Sequence, residues 1–117
     1  MSYAFEVGDE TVWSPSLQVG ELFVGMLQST AASLGMKSGL SPIASDMWEI
    51  DIDDFERLVV KLYDLHLSTS HSVLRSMIEG IIGPCLVILE RAGRPIIPVG
   101  DAGRQLIDQA NALSMPM

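Results

Sequence analysis

The stretch Ser70–Gly93, SHSVLRSMIEGIIGPCLVILERAG, decides how the rest of the chain is read. From Gly80 to Leu89 it carries no charge, and its apolar residues fall on every side of the helix they would form. A helix apolar all round is the buried centre of a domain, with other elements packed about it. Ser68-Thr69-Ser70 can cap its start, and Arg91 and Gly93 supply a last-turn cation and a stop. Pro84 lies inside, and its ring crowds the carbonyl of Gly80, four residues back. The expectation is one kinked helix, or two half-helices meeting near Gly80–Pro84.

Upstream of this centre, Asp53-Asp54-Phe55-Glu56 is an Asp-type capping box that opens a helix to about Leu67. Phe55, Leu58, Val59, Leu62 and Leu65 form its apolar face, with Glu56, Arg57, Lys61 and Asp64 opposite. Met47–Ile52 alternates, Trp48, Ile50 and Ile52 against Glu49 and Asp51, and predicts a half-buried strand. Gly35–Asp46 has no period and contains Gly39 and Ser41-Pro42, which reads as a loop. Ser14-Pro15 starts a helix that runs to Leu34 and stops at Gly35, with a seam through Leu17, Gly20, Val24, Leu27, Ala31 and Leu34. Gly20 and Gly25 here, and Gly80 and Gly83 in the central helix, suggest that the two helices cross at their glycines. Ala4–Val7 and Thr11–Trp13, joined by Gly8-Asp9-Glu10, predict a hairpin.

Downstream, Arg94–Gly100 places two prolines around apolar residues, which suits an extended strap or edge strand. Asp101 caps a short last helix through Leu113 that buries Leu106, Ile107, Ala110 and Leu113, and Ser114–Met117 is expected to fray. The fold class is therefore α+β and mostly helical. Three longer helices and a short C-terminal one surround the central apolar helix at about 70–92, with a small antiparallel sheet, in a single domain over 1–117.

Fifteen acids against seven bases give a net charge of −8, and the bases are scattered. Nucleic acid needs a clustered basic surface to displace counterions, so neither nucleic acid nor an anionic membrane is an expected partner. Cys85 is the single cysteine, which excludes an intrachain disulfide and fits a reducing cytoplasm. The N-terminal residues lack the basic and apolar regions of a signal peptide, and Gly80–Leu89 is about half of a ~20-residue membrane span. Apolar residues make up 48% of the chain, which points to an exposed apolar surface and a homodimer.

The candidate sites are few. Asp51, Asp53 and Asp54 lack the glycine and remaining ligands of a calcium loop and read as strand edge and helix cap. His66 and His71 are five apart across a helix boundary, which is not a zinc spacing, so no metal and no cofactor is expected. Nearby serines have no G-x-S-x-G elbow, so a hydrolase is rejected, and Cys85 in an apolar helix should be inert. Arg75 and Glu79, i and i+4 on the central helix, are the polar couple able to grip a ligand or partner if their face lines a cleft. His71 at the start of that helix, and Trp13 and Trp48 on the sheet, complete the binding candidates.

The order of several short motifs resembles a family of small, mostly actinobacterial proteins known as a domain of unknown function. The matching pieces are Val7-Gly8-Asp9, Trp13-Ser14-Pro15-Ser16, Ser38-Gly39-Leu40-Ser41-Pro42, Ile50-Asp51 with Phe55, His71 with Val73-Leu74-Arg75 and Glu79-Gly80, and Arg91-Ala92-Gly93. The resemblance implies a cytoplasmic bacterial protein and carries no activity or site residues with it.

Three functions fit these residues. The first is a non-enzymatic interaction protein acting through an apolar groove or dimer surface. The second is a small-molecule-binding or cyclase-like protein with an apolar cavity and Arg75 and Glu79 as its polar groups. The third is an acidic immunity or antitoxin-type protein that engages a basic partner through Glu49, Asp51, Asp53, Asp54 and Glu56.

Overall fold

The computed structural model describes residues 2–117. Its elements are β1 (Ala4–Val7), β2 (Glu10–Trp13), α1 (Leu17–Ser33), β3 (Leu40–Ala44), β4 (Met47–Ile50), α2 (Ile52–Ser68), α3 (Ser72–Arg91) and α4 (Asp101–Asn111). The fold is α+β and mostly helical, with a small sheet. The chain divides into two compact units, the residues up to Leu58 together with Met115–Met117, and Val59–Ser114.

In the first unit the strands lie in the order β2-β1-β4-β3. The β1–β2 pairing is antiparallel, as its hairpin signal implies, and so is β3–β4. Strands β1 and β4 run parallel, with Phe5 opposite Trp48 and Glu6 opposite Glu49, so the sheet is mixed and not the antiparallel one expected. Strand β3 lies where the sequence reads as loop. Ser41-Pro42 looks like a breaker, yet β3 is an edge strand, where a missing N–H removes little from the ladder. Four rings form the core: Phe5 stacks on Trp13 with centroids 5.4 Å apart, Phe23 meets both edge-on, and Tyr3 tilts against Phe5. Gly20 packs directly on the Tyr3 ring, so a side chain there would collide with it.

Local pairing moves several boundaries. Tyr3 N donates to Pro15 O and Ser2 bridges Ser16, which holds Ser14-Pro15 extended. The cap of α1 is therefore Ser16, which accepts from Val19 N at 3.3 Å, and not Ser14. Asp51 accepts from Asp54 N through its side chain at 3.1 Å and caps α2, so β4 ends before the predicted Ile52 and the helix starts before the predicted Asp53 cap. Gly39, at φ +81°, brings its carbonyl to Asp51 N at 2.7 Å and its α-carbon against the start of α2. The expected fraying of Ser114–Met117 is not observed: Met115 is buried, and Pro116 O accepts from Ser14 N.

In the second unit α3 is one continuous helix that contains Pro84 and buries Ile78, Ile81, Ile82 and Cys85 to Leu89. Its first half is not a core helix: Val73 is 55% and Met77 67% exposed. By length and composition α3 could also cross a membrane, and 44% of its most apolar window is buried. Helix α4 packs on α3, burying Leu106 and Ala110, and begins after Gly100 at φ +86°. Gly103 of α4 faces the Tyr63 hydroxyl, and Gly83 of α3 faces Leu113, whose methyl lies 2.8 Å from where a β-carbon would stand. Gly25 and Gly80 have open space beside them. Within each unit a glycine admits a single side chain, Tyr3 at Gly20 and Leu113 at Gly83. Arg94–Gly100 forms no strand, and Ile97 and Val99 are exposed.

Candidate functional site

Two places in the fold gather chemically capable side chains. The first is a cleft of about 370 Å³ in the second unit, lined by α2, α3 and α4. Its polar centre is built on His66, which the spacing with Leu62 and Tyr63 puts on the buried face of α2. His66 Nε2 lies 2.9 Å from Glu79 Oε1. A carboxylate accepts, so Nε2 carries the hydrogen in this bond. Nδ1 is buried and has no partner.

The same residue holds the other charge. Arg75 Nε donates to the His66 carbonyl at 3.4 Å, and Arg75 Nη2 donates to the Thr69 carbonyl. These carbonyls belong to the last turn of α2 and the residue after it, which a helix leaves unpaired and a guanidinium can satisfy. Arg75 and Glu79 thus line one cleft but form no ion pair with each other. Each is diverted to a different atom of the α2 terminus, and in the order Arg then Glu an i, i+4 pair is the weaker one. Gln105 and Gln109, one turn apart on α4, add neutral amides, and Leu67 and Leu106 add apolar surface. The cleft is open, and its lining mixes these polar groups with apolar surface.

The second place is the outer face of the sheet. Phe5 lies opposite Trp13 and Trp48 on the core side, with Ile50 two residues along β4, and a register shift between Phe5 and Glu6 puts Thr11 on the other face. The opposite side carries a row across all strands, Thr11, Glu6, Glu49 and Ser41. Thr11 Oγ1 donates to Glu6 Oε2 at 2.7 Å. Glu6 and Glu49 are direct neighbours of like charge, an arrangement that costs stability.

The sequence pattern of a described family, a family of unknown function (DUF6086), matches residues 1–117. The chain belongs to that family. No curated protein and no solved structure matches it.

The remaining binding candidates of this DUF6086 chain fall elsewhere. His71 occupies the N-cap position of α3 without a side-chain bond, is exposed and does not line the cleft. Histidine at the cleft is His66, which its spacing to His71 set aside as a metal ligand. Trp13 is buried in the ring cluster, and its Nε1 has no partner. Trp48 is half-buried and donates from Nε1 to the Tyr3 hydroxyl at 3.0 Å. Cys85 is buried, and burial pushes its thiol far above the usual range. Among the described residues no group of three or more His, Cys, Asp or Glu could hold a metal.

Proposed function

We propose that the chain is a non-enzymatic, cytoplasmic interaction protein that docks a basic partner against the acidic sheet of its first unit. One observation carries this reading. Residues 1–58 hold ten of the fifteen acids and only Lys37 and Arg57 of the seven bases, whereas 59–114 hold five of each. The whole net charge of −8 therefore belongs to one unit. Such a field speeds encounter with a basic surface and rejects acidic ones.

The Glu6–Glu49 pair supplies the local complement. A lysine or arginine from a partner placed between the two carboxylates would turn a repulsion into two charge-assisted bonds. Retaining like charges side by side lowers the stability of the free protein, a trade typical of binding surfaces.

A homodimer is compatible with this reading because it would use another face. Val19 at 47%, Leu22 at 62% and Met26 at 37% exposure form an apolar strip on α1 next to the open Gly25. Two copies meeting there would bury that strip and leave the acidic sheet accessible.

The test is affinity capture by the full chain from its own host, beside a Glu6→Gln/Glu49→Gln variant. The reading expects a basic polypeptide that wild type retains, that the variant loses, and that elutes as salt rises. Raising ionic strength from about 0.1 M to about 1 M shortens the screening length from ~10 Å to ~3 Å. A partner bound equally well by the variant, or indifferent to salt, would overturn the proposal.

A further inference from the structure

The cleft of the second unit has a chemistry that the acidic sheet does not explain. Its titratable groups are His66, Arg75 and Glu79, and His66 uses its ring on Glu79 and its carbonyl on Arg75. Both charged groups are thereby held still, and both keep unused capacity. A guanidinium has five N–H donors, and the protein engages two nitrogens of Arg75. A carboxylate has about four acceptor positions. Glu79 gives one oxygen to His66 and leaves half of its side chain exposed on the cleft.

Arg75 and Glu79 branch from α3 one helical turn apart, a backbone rise of about 6 Å. An anion alone would satisfy Arg75 while pressing against Glu79, and a cation alone would do the reverse. An apolar ligand would strip water from both and pair neither, which is costly. The ligand that satisfies both ends carries a negative and a positive group a few ångströms apart. The volume of about 370 Å³ is at the low end of ligand clefts, which span about 300–1,000 Å³. Across the cleft, Gln105 and Gln109 can meet neutral polar groups, and Leu67 and Leu106 can cover a short apolar side chain.

We infer that this cleft binds a small zwitterion of the free α-amino acid class, its carboxylate on Arg75 and its ammonium on Glu79. His66 is a positioning residue that keeps the two gripping groups from neutralising each other. The site lies wholly within the second unit and is independent of the acidic sheet.

The experiment uses the full chain and the twenty common free amino acids, each titrated separately by two-dimensional NMR. The expected result is saturable shifts, for at least one amino acid, at the amides around residues 66, 75, 79, 105 and 109. N-acetylation or C-amidation of that amino acid should each weaken binding by about tenfold or more, since each deletes one charge-assisted contact. Arg75→Gln and Glu79→Gln should do the same from the protein side. If Arg75→Gln unfolds the end of α2, the blocked amino acids and Gln109→Ala on the exposed face of α4 decide the question instead. No saturable binding of any free amino acid would overturn the inference. So would binding that survives blocking of either end.

Discussion

Gly103 and Tyr63 offer a measurable coupling between one missing side chain and one orphaned hydroxyl. A β-carbon on Gly103 would overlap the Tyr63 hydroxyl, and that hydroxyl is buried without a hydrogen-bond partner. Gly103→Ala gains about 1 kcal/mol of helix propensity, and forcing a methyl into the packed site costs about 1–3 kcal/mol. The net expectation is a loss of up to about 2 kcal/mol. Tyr63→Phe removes a hydroxyl whose desolvation is unrepaid and should gain about 1 kcal/mol. In the Tyr63→Phe background the nearest ring atom lies 3.4 Å from the new methyl, which is ordinary contact. There Gly103→Ala should keep its propensity gain and lose its penalty. The cycle therefore predicts a coupling of about 1–3 kcal/mol. Urea unfolding followed by far-ultraviolet circular dichroism reads it, provided the denaturant slope is unchanged among the variants. Equal costs of Gly103→Ala in both backgrounds would refute the coupling, as would a Tyr63→Phe protein less stable than wild type.

Three further outcomes are expected. Gly39→Ala should lower stability by about 1–3 kcal/mol or more in chemical denaturation, because φ is +81° and the added carbon would lie 2.7 Å from the Asp51 carbonyl oxygen. Glu49→Gln should raise the stability of the unbound protein by about 0.2–1 kcal/mol, with the gain shrinking in high salt, since it removes a like-charge neighbour of Glu6. Cys85 should resist a thiol reagent until the protein unfolds. Its folded pKa is raised by burial, so the unfolded thiol ionises first. The contribution to stability is complete below the ordinary value of 9.0 and is lost as pH rises above it. Cys85→Ala should flatten the alkaline limb of the stability curve.

The parts of the fold written in local patterns were readable. Alternation around Trp48 and Ile50 marked β4, the glycine after Leu34 marked the end of α1, and the charge-free run after Gly80 marked a buried segment. Strand β3 was not, because a proline on an edge strand looks the same in sequence as a proline in a loop. The cap of α1 moved from Ser14 to Ser16 because pairing with residues 2 and 3 competes for the backbone, and that competition is not local. At the cleft, Arg75 and Glu79 stood out by their spacing, but their partners did not. His66 reaches Glu79 across thirteen positions and an intervening turn, so its role depends on how α2 and α3 meet. The available signal was its place one turn beyond Leu62 and Tyr63, a polar ring on an apolar face.

The bond from Ser14 N to Pro116 O spans 102 positions of chain. In sequence, the second unit is an insertion whose two ends are fixed within the first. During synthesis the first unit cannot complete its core until Met115 has emerged, so an entire second unit must be made while the first waits unfinished. Contacts of such long separation slow folding. Shortening the chain by its last three residues should therefore loosen the sheet made at the beginning of translation and leave the helices made last in place.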